Sequence, residues 1–80
     1  MLTINFKSSK FAIGKSVIIV DEYQQGDVCL AEGEIGMVVG ANIHHYPDLG
    51  LFGIRIVHFE FCSCDVSMGE EIAERHMDIL

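Results

Sequence analysis

The stretch Ala31-Glu-Gly-Glu-Ile-Gly-Met-Val-Val-Gly-Ala-Asn-Ile43 decides how this chain folds. Glu32-Gly33-Glu34 reads as a turn, and the apolar run Ile35 to Val39 that follows it is broken only by Gly36. Val38 and Val39 are β-branched, and a bounded β-branched run of this length reads as a buried strand. A glycine inside a strand marks a bulge, a bend or a close backbone approach. Gly33, Gly36 and Gly40 together predict the tight curling that a small barrel requires. No Lys-Ser/Thr follows these glycines and no G-x-G-x-x-G is present, so they read as structural and not as a phosphate loop.

Upstream of this stretch, Val17-Ile-Ile-Val20 is a clear strand that stops at Asp21-Glu22. Leu2-Thr-Ile-Asn-Phe6 alternates apolar and polar and predicts an extra edge strand. Tyr23 to Leu30 is a loop by content, with Val28-Cys29-Leu30 returning to the core or adding a short strand. Downstream, Asn42 to Phe52 is a second loop that carries the only proline, in His44-His-Tyr-Pro-Asp-Leu-Gly50. Gly53 to Phe61 is the third strong strand. It sets Ile54, Ile56 and His58 on one face and Arg55, Val57, Phe59 and Phe61 on the other. Two mainly apolar faces predict a central strand, or one that lies against a partner. Cys62 to Met68 also alternates and reads either as a strand paired with the previous one or as a loop. Gly69-Glu70-Glu71 opens one or two helical turns, with Ile72, Ala73 and His76 at helical spacing and Glu71 four residues before Arg75. Met77 to Leu80 then closes the chain as a short strand. The expected fold is all-β: one domain over residues 1–80, a strongly bent five- or six-stranded barrel with a short C-terminal helical turn.

Composition sets limits on function. Eighty residues make one small domain, and 50% apolar against 21% charged residues is a globular balance. A mean hydropathy of +0.35 is high for so small a chain, which predicts self-association or a protein partner. No segment has the ~18 apolar residues that a membrane span needs. The first residues lack a basic stretch followed by an apolar one, so a cytoplasmic protein is expected. Three cysteines (Cys29, Cys62 and Cys64) fit a reducing compartment better than a disulfide framework. Lys7, Lys10 and Lys15 are the only charges in the first fifteen residues, whereas residues 16–80 set twelve acidic side chains against Arg55 and Arg75. That field repels phosphate and argues against nucleic acid as a partner.

The order of these pieces carries a resemblance. Phe11-x-x-Gly14-x-x-Val17, a long loop, Gly33-Glu-x-Gly36-x-Val38-Val39, a second loop, Gly53-Ile-x-Ile56-Val57-x-Phe59 and His76-x-x-x-Leu80 resemble the small SH3-like barrels. The glycine-and-valine motif followed by the Ile56–Phe59 strand is similar to KOW-type domains. It is also similar to small bacterial proteins of the NifZ-like and DUF4926-like kind, and to the barrel part of nitrile hydratase β chains. The resemblance covers about residues 11–80. It implies a domain that binds protein or nucleic acid, or that serves as an accessory subunit. KOW domains that touch RNA are basic and this chain is acidic, and Leu2 to Phe6 is extra to the minimal barrel.

Several groups of side chains invite a chemical reading. Cys62, Cys64 and His58, with His44, His45 and His76, are the right types for a transition metal, although Cys62-x-Cys64 is shorter than the usual C-x₂₋₄-C. Any of the three cysteines paired with His58 or His76 would make a nucleophile. Glu32/Glu34 and Glu70/Glu71 are paired carboxylates that turn and helix-start positions already explain. The aromatic and apolar content of the second loop suits a protein contact through His44, His45, Tyr46, Leu49, Leu51 and Phe52. Leu2, Ile4 and Phe6 suit contact along an edge strand. The reading is a non-enzymatic interaction or accessory module with no cofactor, its partner another protein or a second copy of itself. The alternatives are a metal-binding regulatory protein and an acidic nucleic-acid mimic that blocks a basic partner.

Overall fold

The computed structural model describes residues 10–45 and 53–80. Seven strands and one helix follow in order: β1 (Ser16–Ile19), β2 (Tyr23–Gln25), β3 (Val28–Leu30), β4 (Ile35–His45), β5 (Gly53–Phe61), β6 (Asp65–Gly69), α1 (Glu70–His76) and β7 (Met77–Ile79). The fold is all-β with a short C-terminal helix. The main sheet has the order β6-β5-β4-β1-β7, and its pairings are all antiparallel. The expected closed barrel is not formed: β6 and β7 are the two edges of an open sheet, and α1 leads from one edge to the other.

β1 follows from alternation, with Val17 and Ile19 buried and Ser16 and Ile18 half-buried on the opposite face. The turn before β4 is held from both sides. Gly33 N–H donates to Ile19 C=O at 2.8 Å, and Ile19 N–H donates to Glu34 C=O at 2.9 Å. Gly33 sits at φ +94°, a conformation that a side chain disfavours. Glu34 then folds back, and its Oε2 accepts from Ala31 N–H at 2.6 Å.

β4 is long and covered by β1 only at its start, where Ser16, Val17 and Ile18 pair with Met37, Gly36 and Ile35. A bulge at Val39 interrupts its register with β5: Val38 pairs with Phe59, yet Gly40 pairs with His58. The extra residue inverts the alternation, so Gly36 and Val38 point inward before it whereas Ala41 opposes the inward Val57 after it. Asn42 to His45, expected as loop, continue as strand because they pair with Ile56 to Gly53 on β5. Gly36 is buried under Phe61, and a Cβ there would lie 2.7 Å from the Phe61 ring.

Two segments left open resolve. Val28 to Leu30 is the short strand β3, and Tyr23 to Gln25, expected as loop, is β2; the two form a separate hairpin joined by Gly26-Asp27, with Gly26 at φ +57°. The segment from Cys62 divides into a turn over 62–64 and the strand β6. The helix turns Ala73 fully inward, and Ile72 stays 42% exposed, so the inward stripe is narrower than the spacing implied. The core is Phe11, Val17, Ile19, Leu30, Val38, Val57, Phe59 and Met77, each essentially inaccessible. Phe11 meets Phe59 edge-on at 5.6 Å, and closes the core from outside the sheet.

Candidate interaction surface

The two faces of the sheet differ in what they do. The inward one carries Val17, Val38, Val57, Phe59 and Met77. The outward one carries Ile18 on β1, Ile35, Met37 and Val39 on β4, and Ile54 and Ile56 on β5. Ile35 is 57% exposed, Met37 and Val39 46% each, and Ile54 42%. Large apolar side chains thus share one side of the sheet, and the bulge that sets Val39 and Gly40 opposite His58 adds to them.

A polar cluster lies in the middle of this face. His58 is in register with Gly40 on one side and with Ser67 on the other. Its Nδ1 lies 2.6 Å from Ser67 Oγ, and its Nε2 hydrogen-bonds Asn42 Oδ1. A carboxamide oxygen only accepts, so Nε2 donates to it, and in the neutral ring the Ser67 hydroxyl donates to Nδ1. Hydroxyl, imidazole and carboxamide in that order are the parts of a nucleophilic relay. Here they lie on an open sheet face with Asn42 and Ser67 exposed. A cleft of about 490 Å³ lies elsewhere, between the start of β5 and α1, lined by Lys10, Ile54, Arg55, Glu70, Glu71 and Glu74. Within it Arg55 Nη1 pairs with Glu70 at 3.3 Å and Nη2 donates to Phe11 C=O at 3.2 Å. Those bonds tie β5, α1 and the segment before β1 together.

The cysteines and histidines singled out from the sequence are dispersed. Cys62 is exposed and Cys64 half-buried, both in the β5–β6 turn, where Phe61 N–H donates to Cys64 C=O at 2.9 Å. His58 opposes Ser67 and not Cys64, so the hairpin does not pair them. Among the described residues no three His, Cys, Asp or Glu side chains gather as a metal ion would need. Cys29 is exposed and its thiol donates to Glu22 Oε1 at 3.4 Å. That hydrogen bond, then desolvation and the charges of Glu22 and Glu34, push its pKa up, against the needs of a nucleophile. His76 Nδ1 lies 3.1 Å from both Asp21 C=O and Glu22 C=O, and its ring meets Tyr23 edge-on at 5.2 Å. It fastens the helix end to the β1–β2 connection. Among the paired carboxylates, Glu70 engages Arg55, Glu71 lies 3.9 Å from Arg75, and Glu34 caps Ala31.

Of the expected contact residues, His44 lies exposed near the end of β4 opposite Ile54, and His45 ends that strand opposite Gly53. Tyr46, Leu49, Leu51, Phe52, Leu2, Ile4 and Phe6 lie outside the described residues. The outer face of β1 and β4 was not among the expected surfaces. Its signal was the apolar run Ile35 to Val39, since a strand apolar on both sides has one side to spare once the core is filled. Among the described residues no helix is long and apolar enough to cross a membrane. No family model matches the chain, and neither a curated protein nor a solved structure shows significant similarity to it.

Proposed function

We propose that this chain is a non-enzymatic interaction module of the SH3-like kind, working in the cytoplasm by associating with itself or with another protein. One observation carries the reading: the sheet leaves Ile35, Met37, Val39 and Ile54 between 42% and 57% exposed on one side. A contiguous apolar patch on a small domain is often functional. The antiparallel order β6-β5-β4-β1-β7, with a helical turn before the last strand, supports the SH3-like resemblance. Glu34, Glu70 and Glu71 are engaged in caps and ion pairs, which supports a structural role for them over a catalytic one.

Native mass spectrometry of the untagged full chain tests the reading. A dimer or larger species without added mass is the expected result. A mass excess of one metal ion per chain would replace it with a metal-binding function for Cys62 and Cys64. A monomer that captures no protein would overturn it.

A further inference from the structure

We propose that Ser67 is a covalent modification site, a hydroxyl that His58 activates and Asn42 orients, and that it takes one acyl group from a neutral activated ester. The modification is stoichiometric. It goes beyond the interaction-module reading and does not depend on it.

Geometry is the first support. Ser67 Oγ lies 2.6 Å from His58 Nδ1, within the reach that a general base needs. Asn42 Oδ1 accepts from Nε2, which keeps the ring proton there and leaves the Nδ1 lone pair to the hydroxyl. The roles are those of a nucleophile, its base and an orienting group. All three residues stand on strands. His58 is paired directly with Ser67 across β5 and β6, and Asn42 lies two positions after Gly40, the residue paired with His58 on β4. Strand pairing on both flanks of β5 holds the relay in place before any ester arrives.

Access is the second support. Ser67 is exposed, and β6 is an edge of the sheet, so no strand of that sheet covers its far flank. The neighbouring positions on this face carry no side chain, since Gly40 is paired with His58 and Gly69 stands two residues after Ser67. That leaves room over the hydroxyl and the imidazole for a trigonal carbonyl carbon. Ile56, paired with Asn42 and with Gly69, and Ile54 beyond it offer the acyl chain an apolar bed.

Charge selects the class of donor. Glu60 stands two residues from His58 and Asp65 two residues from Ser67, paired with each other and on the same face as the relay. An anionic donor such as an acyl phosphate is repelled there, whereas a neutral ester is not. The step needs no further reactant. Ser67 Oγ bonds to the carbonyl carbon as its proton passes to His58 Nδ1. The bond from that carbon to the leaving oxygen then breaks, and the imidazolium returns the proton to the departing alcohol.

Incubation of the untagged full chain with p-nitrophenyl acetate, followed by intact-mass measurement and peptide mapping, tests the proposal. The expected result is one acetyl group on Ser67, gained much faster than on Ser63, an exposed serine whose hydroxyl meets Cys64 Sγ and no imidazole. His58→Gln is expected to slow acetylation of Ser67 by ~100-fold or more, with Ser63 unchanged. Asn42→Ala is expected to slow it ~10-fold or more, and Asn42→Asp to restore it, because a carboxylate also only accepts from Nε2. A loss of structure alone would strike both Asn42 variants alike, so their difference reports the orienting role. Acetyl groups on lysine or cysteine but not on Ser67, or a Ser67 rate unchanged in His58→Gln and Asn42→Ala, would overturn the proposal and leave the interaction-module reading standing.

Discussion

Replacing Gly36 with alanine probes the closest approach in the sheet. The new Cβ would meet three Phe61 ring carbons at 2.7, 2.7 and 2.8 Å. Carbon atoms rest ~3.5–4.0 Å apart, so the overlap is close to ~1 Å against three atoms at once. Phe61 is 5% exposed and packs against Phe59 with ring centroids 6.4 Å apart, so its ring has little room to retreat. Overpacking of this kind costs about 1–3 kcal/mol, and the stiffer unfolded chain of alanine returns about 0.4–1 kcal/mol. The net loss is about 1–2 kcal/mol, a fall of roughly 5–15 °C in Tm for a domain of this size. Urea unfolding followed by circular dichroism measures it. Gly40→Ala is the matched control, because a Cβ there meets only the His58 ring, at an ordinary 3.5 Å. Its stability should stay within about 0.5 kcal/mol of wild type. Phe61→Leu made together with Gly36→Ala should recover part of the loss, with a coupling of about 1 kcal/mol. If Gly36→Ala were as stable as Gly40→Ala, the close packing of Phe61 on β4 would be refuted.

Three further outcomes follow from the same geometry. Gly33→Ala forces a side chain onto φ +94° and should cost about 1–2 kcal/mol in urea unfolding; a neutral effect would mean that the turn relaxes freely. His76→Ala removes the donor shared by the Asp21 and Glu22 carbonyls and should cost about 1–2 kcal/mol, with a change below about 0.3 kcal/mol ruling out the fastening role. Glu22→Gln removes the carboxylate that holds the Cys29 thiol protonated. The thiolate then forms at lower pH, so the pH profile of Cys29 alkylation, read by peptide mass spectrometry, should move downward; an unmoved profile would sink the Glu22–Cys29 contact.

Parts of this fold are legible from residue order because their signals are local. Gly53 to Phe61 becomes β5 with those bounds, since Val57, Phe59 and Phe61 alternate without interruption. The acidic start and basic end of Glu70–His76 mark α1, and Met77 follows it into β7. Other parts depend on long-range register. The bulge at Val39 reverses which residues face inward, and that reversal disguises Asn42 to His45 as loop. β2 and β3 have three residues each with one buried side chain apiece, too few for a period to show. Whether the sheet closes depends on how β6 and β7 end, which no local pattern encodes. The candidate surface divides in the same way. Its apolar content is visible in the run Ile35 to Val39, but the polar cluster joins residues 16 and 9 positions apart and becomes apparent only in the paired sheet.

The most direct test of association through the outer face of the sheet is a dilution series followed by methyl NMR on the full chain, with isoleucine and methionine methyl groups labelled. The account predicts concentration-dependent shifts at Ile18, Ile35, Met37, Ile54 and Ile56, all on the outer face. Ile13 and Ile72, exposed at 69% and 42% but on a turn and on α1, should hold still. Shifts confined to Ile13 and Ile72, or no shift at any concentration, would contradict it.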